Sequence, residues 1–282
     1  MPRAPGVDVD RAGTVGGVEL ILVRHGQPEW TRNGRNVNDP VLTERGQRQA
    51  EACARRLAAS DQDPGRDGID RLMVSPARRA DETAAPIAAA LDLSAEVEPW
   101  LLEYQLPDSW EGQPVDVARA AFAAQRSSTR EEWWKGLPGS ESIRSFHERV
   151  IDGVTTALGE VGMRSLGDGL WHVDVAADSQ RWVAVAHGGT NSTIVSYLLG
   201  CDPEPWEWER FNLGHAALAV LSTTPMAGQA IWSLRLLGDQ THLDLDDRTV
   251  GRRLRLSRQR PSRVAAPPRA TCSPCRRPRG SP

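Results

Sequence analysis

The chain has 282 residues and a mass of 30.9 kDa, which is enough for one large domain or two small ones, and hydrophobic residues make up 39% of it. This composition excludes collagen, coiled coils and a wholly disordered chain. The net charge of −3 combines +10 from ten arginines in residues 251–282, which contain no acidic residue, with −13 in residues 1–250. The folded part is therefore predicted to be acidic, so any anion site in it must be built locally.

Apolar periodicity and turn-forming residues predict strands that alternate with helices. In chain order, the predicted elements are strand Val18–Val23, helix Thr43–Ala59, strand Arg71–Ser75, an alanine-rich helix ending at Leu91, strand Ala95–Pro99, helix Pro114–Gln125, helix Ser142–Leu158, strand Trp182–His187, helix Thr190–Leu199, and strands Ala216–Thr223 and Ala230–Leu237. This order predicts an α/β fold with three layers, in which helices cover both faces of a mostly parallel central sheet.

The two ends of the chain are expected to lie outside the folded domain. Residues 239–282 lack aromatic residues and are dense in proline and arginine. We therefore predict a flexible N-terminus over 1–17, one domain over 18–238 and an Arg/Pro-rich disordered tail over 239–282. The apolar runs are too short to cross a bilayer and residues 1–17 hold no export signal, so a cytoplasmic protein without a membrane partner is expected.

Reactive side chains follow three of the predicted strands. Arg24-His25-Gly26 follows the first, Ser75 to Ala80 follows the second, and His187-Gly188-Gly189 follows the fourth. Sites of open α/β sheets collect at the carboxyl ends of strands. Guanidinium groups match phosphate oxygens, and glycines let backbone N–H groups come close, so this pattern predicts a phosphate pocket without a metal.

Five ordered segments resemble the motifs of the histidine phosphatase superfamily, in its phosphoglycerate mutase-like branch. The segments are Leu22–Trp30 with Asp39–Ala50, Ser75–Ala84, Leu101–Glu103 with Trp110–Gly112, Gly139–Ser142 with Phe146 and Arg149, and Val185–Gly189. The resemblance runs from about Val18 to Leu237. It implies a phosphoglycerate mutase-like catalytic domain with an insert or lid over about 104–140.

The resemblance also implies the residues that carry the chemistry. His25 would be the nucleophile and would carry a phosphohistidine, which divides one difficult displacement into two easier ones. Its second ring nitrogen should then donate to an acceptor such as a loop carbonyl. Glu103 would protonate the leaving oxygen and later deprotonate the attacking water. The loop after Glu103 is one residue longer than the family pattern and lacks its glycine, so Glu111 stays open as the alternative proton donor.

Other matched residues are implied to hold the phosphoryl group. Arg24, Arg79 and the second catalytic histidine, His187, would stabilise its equatorial charge, with a backbone N–H near Gly188 as a further donor. Thr31 stands where many members of the family have a phosphate-binding asparagine, and its hydroxyl offers fewer contacts than an amide.

The insert favours hydrolysis over a mutase reaction. Phosphoglycerate mutases of the family hold their substrate with a cluster of basic residues in this region, whereas here the cations are scattered and no two arginines are adjacent. We therefore expect a metal-independent phosphomonoesterase that acts on a small phosphorylated metabolite without a cofactor. A phosphoglycerate-type mutase and a catalytically weakened phosphate- or partner-binding module stay open. Trp133 and Trp134 are expected either to line the pocket or to pack the insert on the domain.

The remaining features carry weaker expectations. His147 is expected on the exposed face of a helix, and a structural role is favoured for His215, although it could approach the pocket. Cys272 and Cys275 form an isolated Cys-x-x-Cys pair, which is weak evidence for zinc. Only the arginine-rich tail could attract nucleic acid, and it lacks aromatic residues to stack on bases, so nucleic acid is not expected as a partner. A homodimer is left open.

Overall fold

The structure is a computed structural model that describes residues 17–63, 67–174 and 179–249. Its strands are β1 (Val18–Arg24), β2 (Thr31–Arg32), β3 (Arg35–Asn36), β4 (Arg71–Val74), β5 (Ala95–Val97), β6 (Met163–Gly167), β7 (Leu170–Val173), β8 (Gln180–Ala186), β9 (Leu218–Met226) and β10 (Gln229–Asp239). Its helices are α1 (Glu44–Asp61), α2 (Arg78–Leu91), α3 (Val115–Arg126), α4 (Arg130–Lys135), α5 (Ile143–Glu160), α6 (Gly188–Leu198) and α7 (Glu207–Arg210), with 3-10 turns at Pro99–Leu101 and Asp108–Trp110.

Within the described residues, the main sheet has eight strands in the order β5-β4-β8-β1-β9-β10-β7-β6. Strands β5, β4, β8 and β1 are parallel to one another, whereas every pair from β1–β9 to β7–β6 is antiparallel. Six of these eight strands point the same way, so the predicted α/β fold with a mostly parallel central sheet is confirmed. The hairpin β6–β7 was not predicted, and it extends the sheet at one edge. Four of the five residues of its edge strand, β6, are exposed.

Two apolar clusters bury the two faces of the sheet. Successive side chains of β1 point to opposite faces. Leu20 and Leu22 pack with α5 and α6 in one cluster, whereas Ile21 and Val23 pack with α1 and α2 in the other. Burial of each such side chain stabilises the fold by about 1.5–3 kcal/mol. Helices on both faces of the sheet therefore hold the central strand β1 in place.

The folded domain extends past its predicted end at residue 238, so the predicted disordered tail does not begin at residue 239. We call residues 240–249 the C-terminal strap. Leu243 of the strap is 3% exposed and belongs to the apolar cluster of α1 and α2. The carboxylate of Asp247 accepts a hydrogen bond from Arg48 Nη2 at 2.7 Å. The strap was missed because its contacts are mostly polar, and polar contacts leave no apolar period in the sequence.

Several predictions concern residues that the structure does not describe. They are the flexible N-terminus over 1–16, the Arg/Pro-rich tail from 250 onward and the pair Cys272 and Cys275. Of the helices in the described ranges, none combines the length and the apolar character that crossing a bilayer would need.

The insert packs on the domain through its tryptophans. A capping box of Thr129 and Glu132 begins α4, which carries Trp133 and Trp134. The ring of Trp133 lies 5.6 Å from that of Trp206, and the ring of Trp134 lies 5.1 Å from that of His147. Both tryptophans are buried. Of the two interpretations of this pair, the structure therefore supports packing.

The prediction of an exposed His147 is wrong. The side chain is 4% exposed and lies between Trp134 and Phe146. The insert covers the face of α5 that the sequence pattern assigns to solvent. Neither ring nitrogen has a hydrogen-bond partner among the described residues. Burial, with a smaller contribution from the charge of Arg144, lowers the pKa of His147 to about 4.

Replacing His147 by leucine is expected to weaken the pH dependence of stability. The unfolded chain takes up a proton at the ordinary histidine pKa of 6.5, whereas the folded chain does so only near 4, so stability present above pH 6.5 is lost as the pH falls towards 4. Between about pH 7 and about pH 4.5 this loss amounts to about 2 kcal/mol of unfolding free energy. Urea unfolding of wild type and of His147→Leu at both pH values measures this loss. An equal loss of unfolding free energy in the two proteins would contradict the lowered pKa of His147.

Candidate active site

The segments of the site begin at the same edge of the sheet. Strand β8 lies between β1 and β4 and pairs in parallel with both, so all three end together. The backbone N–H of His25 donates to Ala186 O at 2.9 Å, and that of Ser75 donates to Val185 O at 3.0 Å. His187 follows β8 directly. The structure therefore brings the three predicted segments together.

The ring of His25 is 2% exposed and is held in one orientation. Its Nδ1 lies 2.7 Å from the carbonyl oxygen of Gly26. Because a carbonyl can only accept, Nδ1 carries the proton, and the neutral ring keeps its lone pair on Nε2. Burial, followed by the charges of His187, Arg79 and Arg24, lowers the pKa of His25 well below 6.5. The ring is therefore neutral at neutral pH.

Close packing fixes the loop that contains His25. A Cβ atom on Gly26 would lie 2.5 Å from the carbonyl oxygen of Gly46 in the first turn of α1, so only glycine allows this approach. The backbone N–H of Gly26 donates to Thr83 Oγ1 at 3.0 Å. The next N–H, that of Gln27, donates to Gln49 Oε1 at 2.7 Å. The loop is thereby attached to both α1 and α2.

Two guanidinium groups flank the imidazole. Arg24 Nη1 donates to Leu213 O at 2.6 Å, and Arg79, which is 5% exposed, lies under the Trp30 ring at 4.8 Å from its centroid. Arg79 Nη1 lies 3.5 Å from the carboxylate of Asp39. Burial lowers the pKa of both arginines. The Nε–H groups of Arg24 and Arg79 are buried without a partner among the described residues, so an anion could accept from them.

The second histidine lies at the beginning of α6. The ring centroid of His187 is 5.1 Å from that of His25, and its Nε2 shares a hydrogen bond of 2.7 Å with Ser75 Oγ. Its Nδ1 is buried without a partner among the described residues. A Cβ atom on Gly188 would lie 3.5 Å from the Arg24 guanidinium carbon, so the first residue of α6 lies beside that charge. The unpaired N–H groups of a helix N-terminus favour an anion there.

The structure brings Glu103 to the site. Its Oε2 accepts from the backbone N–H of Gly189 at 2.9 Å, and a Cβ atom on Gly189 would lie 2.3 Å from its Oε1. The charge of Glu103 acts on both Arg24 and Arg79. Arg149 donates to the carbonyl oxygen of Leu102 at 3.0 Å and supports this loop.

The structure places Thr31 on the hairpin β2–β3 and Glu111 beside it. Glu111 Oε2 accepts from the backbone N–H of Asn38 at 2.7 Å and holds the hairpin β2–β3. Thr31 is exposed on that hairpin, which turns at Asn33 and Gly34 with φ of 52° and 74°. The resemblance aligns Thr31 with a phosphate-binding asparagine of the family, and in the structure the hairpin exposes its side chain. The Asn-Gly turn signal could have revealed this hairpin.

Four residues of the site were missed or given another role in the sequence predictions. Trp30 and Asp39 contact Arg79, Ser75 bonds to His187, and the ring centroid of His215 lies 5.8 Å from that of His25. These contacts join segments far apart in sequence, so local patterns carry little signal for them. In the described parts of the chain, no three His, Cys, Asp or Glu side chains are grouped in a way that could hold a metal ion.

The chain is similar to known phosphatases and phosphoglycerate mutases. Phosphoserine phosphatase 1 of Hydrogenobacter thermophilus is 34% identical over 136 residues, which cover 47% of this chain and 61% of that protein, less than two thirds of its length. The probable phosphoglycerate mutase GpmB of Yersinia enterocolitica is 26% identical over 234 residues, which cover 81% of this chain and 96% of that protein.

Solved structures and a family model match most of the chain. The mycobacterial glucosyl-3-phosphoglycerate phosphatase superposes with a TM-score of 0.56 at 24% identity and covers 79% of this chain and 99% of its own, a likeness that shows the fold alone. The family model of the histidine phosphatase superfamily (branch 1) matches residues 20–234. Because this family model extends from β1 into β10, the chain belongs to the histidine phosphatase superfamily, branch 1.

Proposed function

We propose that this protein is a metal-independent phosphomonoesterase that acts on a small phosphorylated metabolite through a phosphohistidine. Membership of the superfamily supports a phosphatase or a mutase reaction. The observation that carries the proposal is the hydrogen bond between His25 Nδ1 and Gly26 O, at 2.7 Å. It leaves the Nε2 lone pair of a neutral imidazole beside two guanidinium groups, which is what attack on a phosphoryl group needs.

The reaction has two displacements. In the first, His25 Nε2 forms a bond to phosphorus, the bond to the ester oxygen breaks, and Glu103 gives that oxygen its proton. In the second, Glu103 takes a proton from water, the water oxygen bonds to phosphorus, and His25 is released with inorganic phosphate. Arg24, Arg79 and His187 Nδ1 stabilise the equatorial oxygens in both steps.

The charges of the insert support hydrolysis rather than a mutase reaction. A mutase must retain a doubly anionic intermediate while it reorients. The insert's arginines already have carboxylate partners: Arg119 with Asp116 at 3.1 Å, Arg126 with Glu209 at 3.2 Å and Arg130 with Glu204 at 2.7 Å. Cations paired in this way are poorly placed to hold a second anionic group of the substrate.

Replacing His25 by alanine is expected to abolish turnover of an aryl phosphate, because the nucleophile is lost. The assay contains a chelator and no bisphosphate primer. In wild type, brief incubation with phosphorus-labelled substrate should leave an acid-labile, alkali-stable label on the protein, and His25→Ala should leave none. His172→Ala, at a histidine of β7 outside the site, is the matched control.

Other outcomes of that assay would overturn the proposal. Turnover that requires a bisphosphate primer would identify a mutase. Phosphate binding without turnover of a broad panel of phosphomonoesters would identify a binding module.

Replacing Glu103 by glutamine is expected to lower kcat by about 100-fold or more on alkyl phosphates, because the leaving alkoxide loses its proton donor. The loss should be much smaller for an aryl phosphate whose leaving group is a weak base. The reserve acid is tested in parallel, and Glu111→Gln should leave both rates unchanged. A larger loss in Glu111→Gln than in Glu103→Gln would reverse the assignment.

Replacing Arg79 by methionine is expected to weaken vanadate binding by about 10- to 100-fold, the value of one charged hydrogen bond. Vanadate resembles the phosphoryl group in transfer. Bound vanadate raises the melting temperature of wild type by mass action, and this rise should be lost in Arg79→Met. Arg78→Met removes the exposed neighbouring arginine and should retain it. Equal rises in the two variants would exclude Arg79 from the pocket.

A further inference from the structure

The loop before β9 holds the guanidinium group of Arg24. Arg24 Nη1 donates to Leu213 O at 2.6 Å, and Nη2 lies 3.4 Å from His215 Nε2. The backbone N–H of Ala216 returns to the carbonyl oxygen of Arg24 at 3.0 Å. Both acceptors, the Leu213 carbonyl oxygen and His215 Nε2, engage the terminal nitrogens of Arg24, whereas its buried Nε–H has no partner among the described residues. The loop thus fixes the guanidinium plane and leaves a donor for the substrate.

The contacts of His215 define its protonation. A guanidinium group can only donate, so Nε2 of His215 must accept, and the proton of the neutral ring lies on Nδ1. Nδ1 is 3.1 Å from Thr249 Oγ1, which also accepts the backbone N–H of His215 at 2.9 Å. Burial, followed by the charge of Arg24, lowers the pKa of His215 to about 3. The ring therefore stays a neutral acceptor at physiological pH.

The C-terminal strap is closely packed against this loop. Gln240 Nε2 donates to the carbonyl oxygen of His215 at 2.8 Å. A Cβ atom on Gly214 would lie 2.2 Å from the carbonyl oxygen of Thr249, so only glycine permits the approach.

The same strap also reaches the other side of the nucleophile loop. Gln49 Nε2 donates to Asp247 O at 2.6 Å, while Gln49 Oε1 accepts the N–H of Gln27 at 2.7 Å. The strap therefore contacts the supports of both Arg24 and the His25 loop.

We infer that His215 is a positioning residue for Arg24, and that the C-terminal strap, through Thr249, holds His215 in the orientation and tautomer that this role needs. The inference rests on the proposed function in so far as Arg24 binds the phosphoryl group. A segment outside the predicted domain would then support the active site. The hydroxyl of Thr249 would act on the substrate indirectly, because it orients the imidazole of His215, which in turn orients the guanidinium group of Arg24.

Variants of Thr249 in the full-length chain test the relay. Thr249→Val removes the hydroxyl and keeps the shape, and we expect it to lower both kcat and vanadate affinity about tenfold, the value of one hydrogen bond. Thr249→Ser retains a hydroxyl acceptor and should keep most of the wild-type kcat and vanadate affinity. Thr241→Val makes the same change at an exposed position of the strap and should behave as wild type. A lower melting temperature with unchanged kcat and vanadate affinity would mean a structural role only and would overturn the inference.

Variants of His215 provide an independent test. Glutamine can present an amide oxygen near the place of Nε2, so His215→Gln should retain more vanadate affinity than His215→Leu, which offers no acceptor. Wild-type affinity in His215→Leu would overturn the inference. Vanadate binding also separates this result from the proposed function: absence of turnover in wild type contradicts the phosphatase, whereas the affinities of the variants still decide whether the relay exists.

Discussion

The site depends on positive charge that the fold withdraws from water without fully pairing it. Desolvation of a guanidinium group costs several kcal/mol unless hydrogen bonds and opposite charges compensate. Arg24 and Arg79 are compensated only in part, by Glu103 and Asp39, and each retains a buried Nε–H without a partner in the described part of the chain. In the proposed function, the phosphoryl group of the substrate supplies the missing acceptors. In a domain that is acidic overall, this local arrangement selects an anion where the net charge would repel it.

A rigid scaffold is needed to hold such charges in place. The carboxyl ends of β1, β4 and β8 meet at one edge because the three strands are parallel and both faces of β1 are buried. His25 and His187 therefore project from the first residues after well-packed strands. The backbone that carries these side chains is therefore fixed by a close-packed core, while contacts with neighbouring loops orient the guanidinium groups.

The sequence predicted those parts of the site that are local. Arg24 ends β1, and His25 and Gly188 follow strands within one or two residues, so strand patterning and the motifs place all three at this edge of the sheet. The place of Thr31 was not predictable in this way, because it depends on how a hairpin packs against a loop about 80 residues away. The strap was missed for the same reason, since its contacts with His215 and α1 are mostly hydrogen bonds between distant segments. Such contacts have no period that a sequence could display.

Protonation in the pocket follows from the same charges. Burial lowers the pKa of His25, His187 and His215, and neighbouring arginines lower each further. The imidazoles are therefore neutral at physiological pH, and the positive field of the pocket comes from Arg24 and Arg79, which keep their protons there. Because the field does not depend on histidine protonation, the proposed nucleophile His25 stays neutral while the pocket stays cationic. The buried cluster thus combines a neutral imidazole with a positively charged pocket. A charged histidine could supply the positive charge only by giving up the lone pair that attack requires.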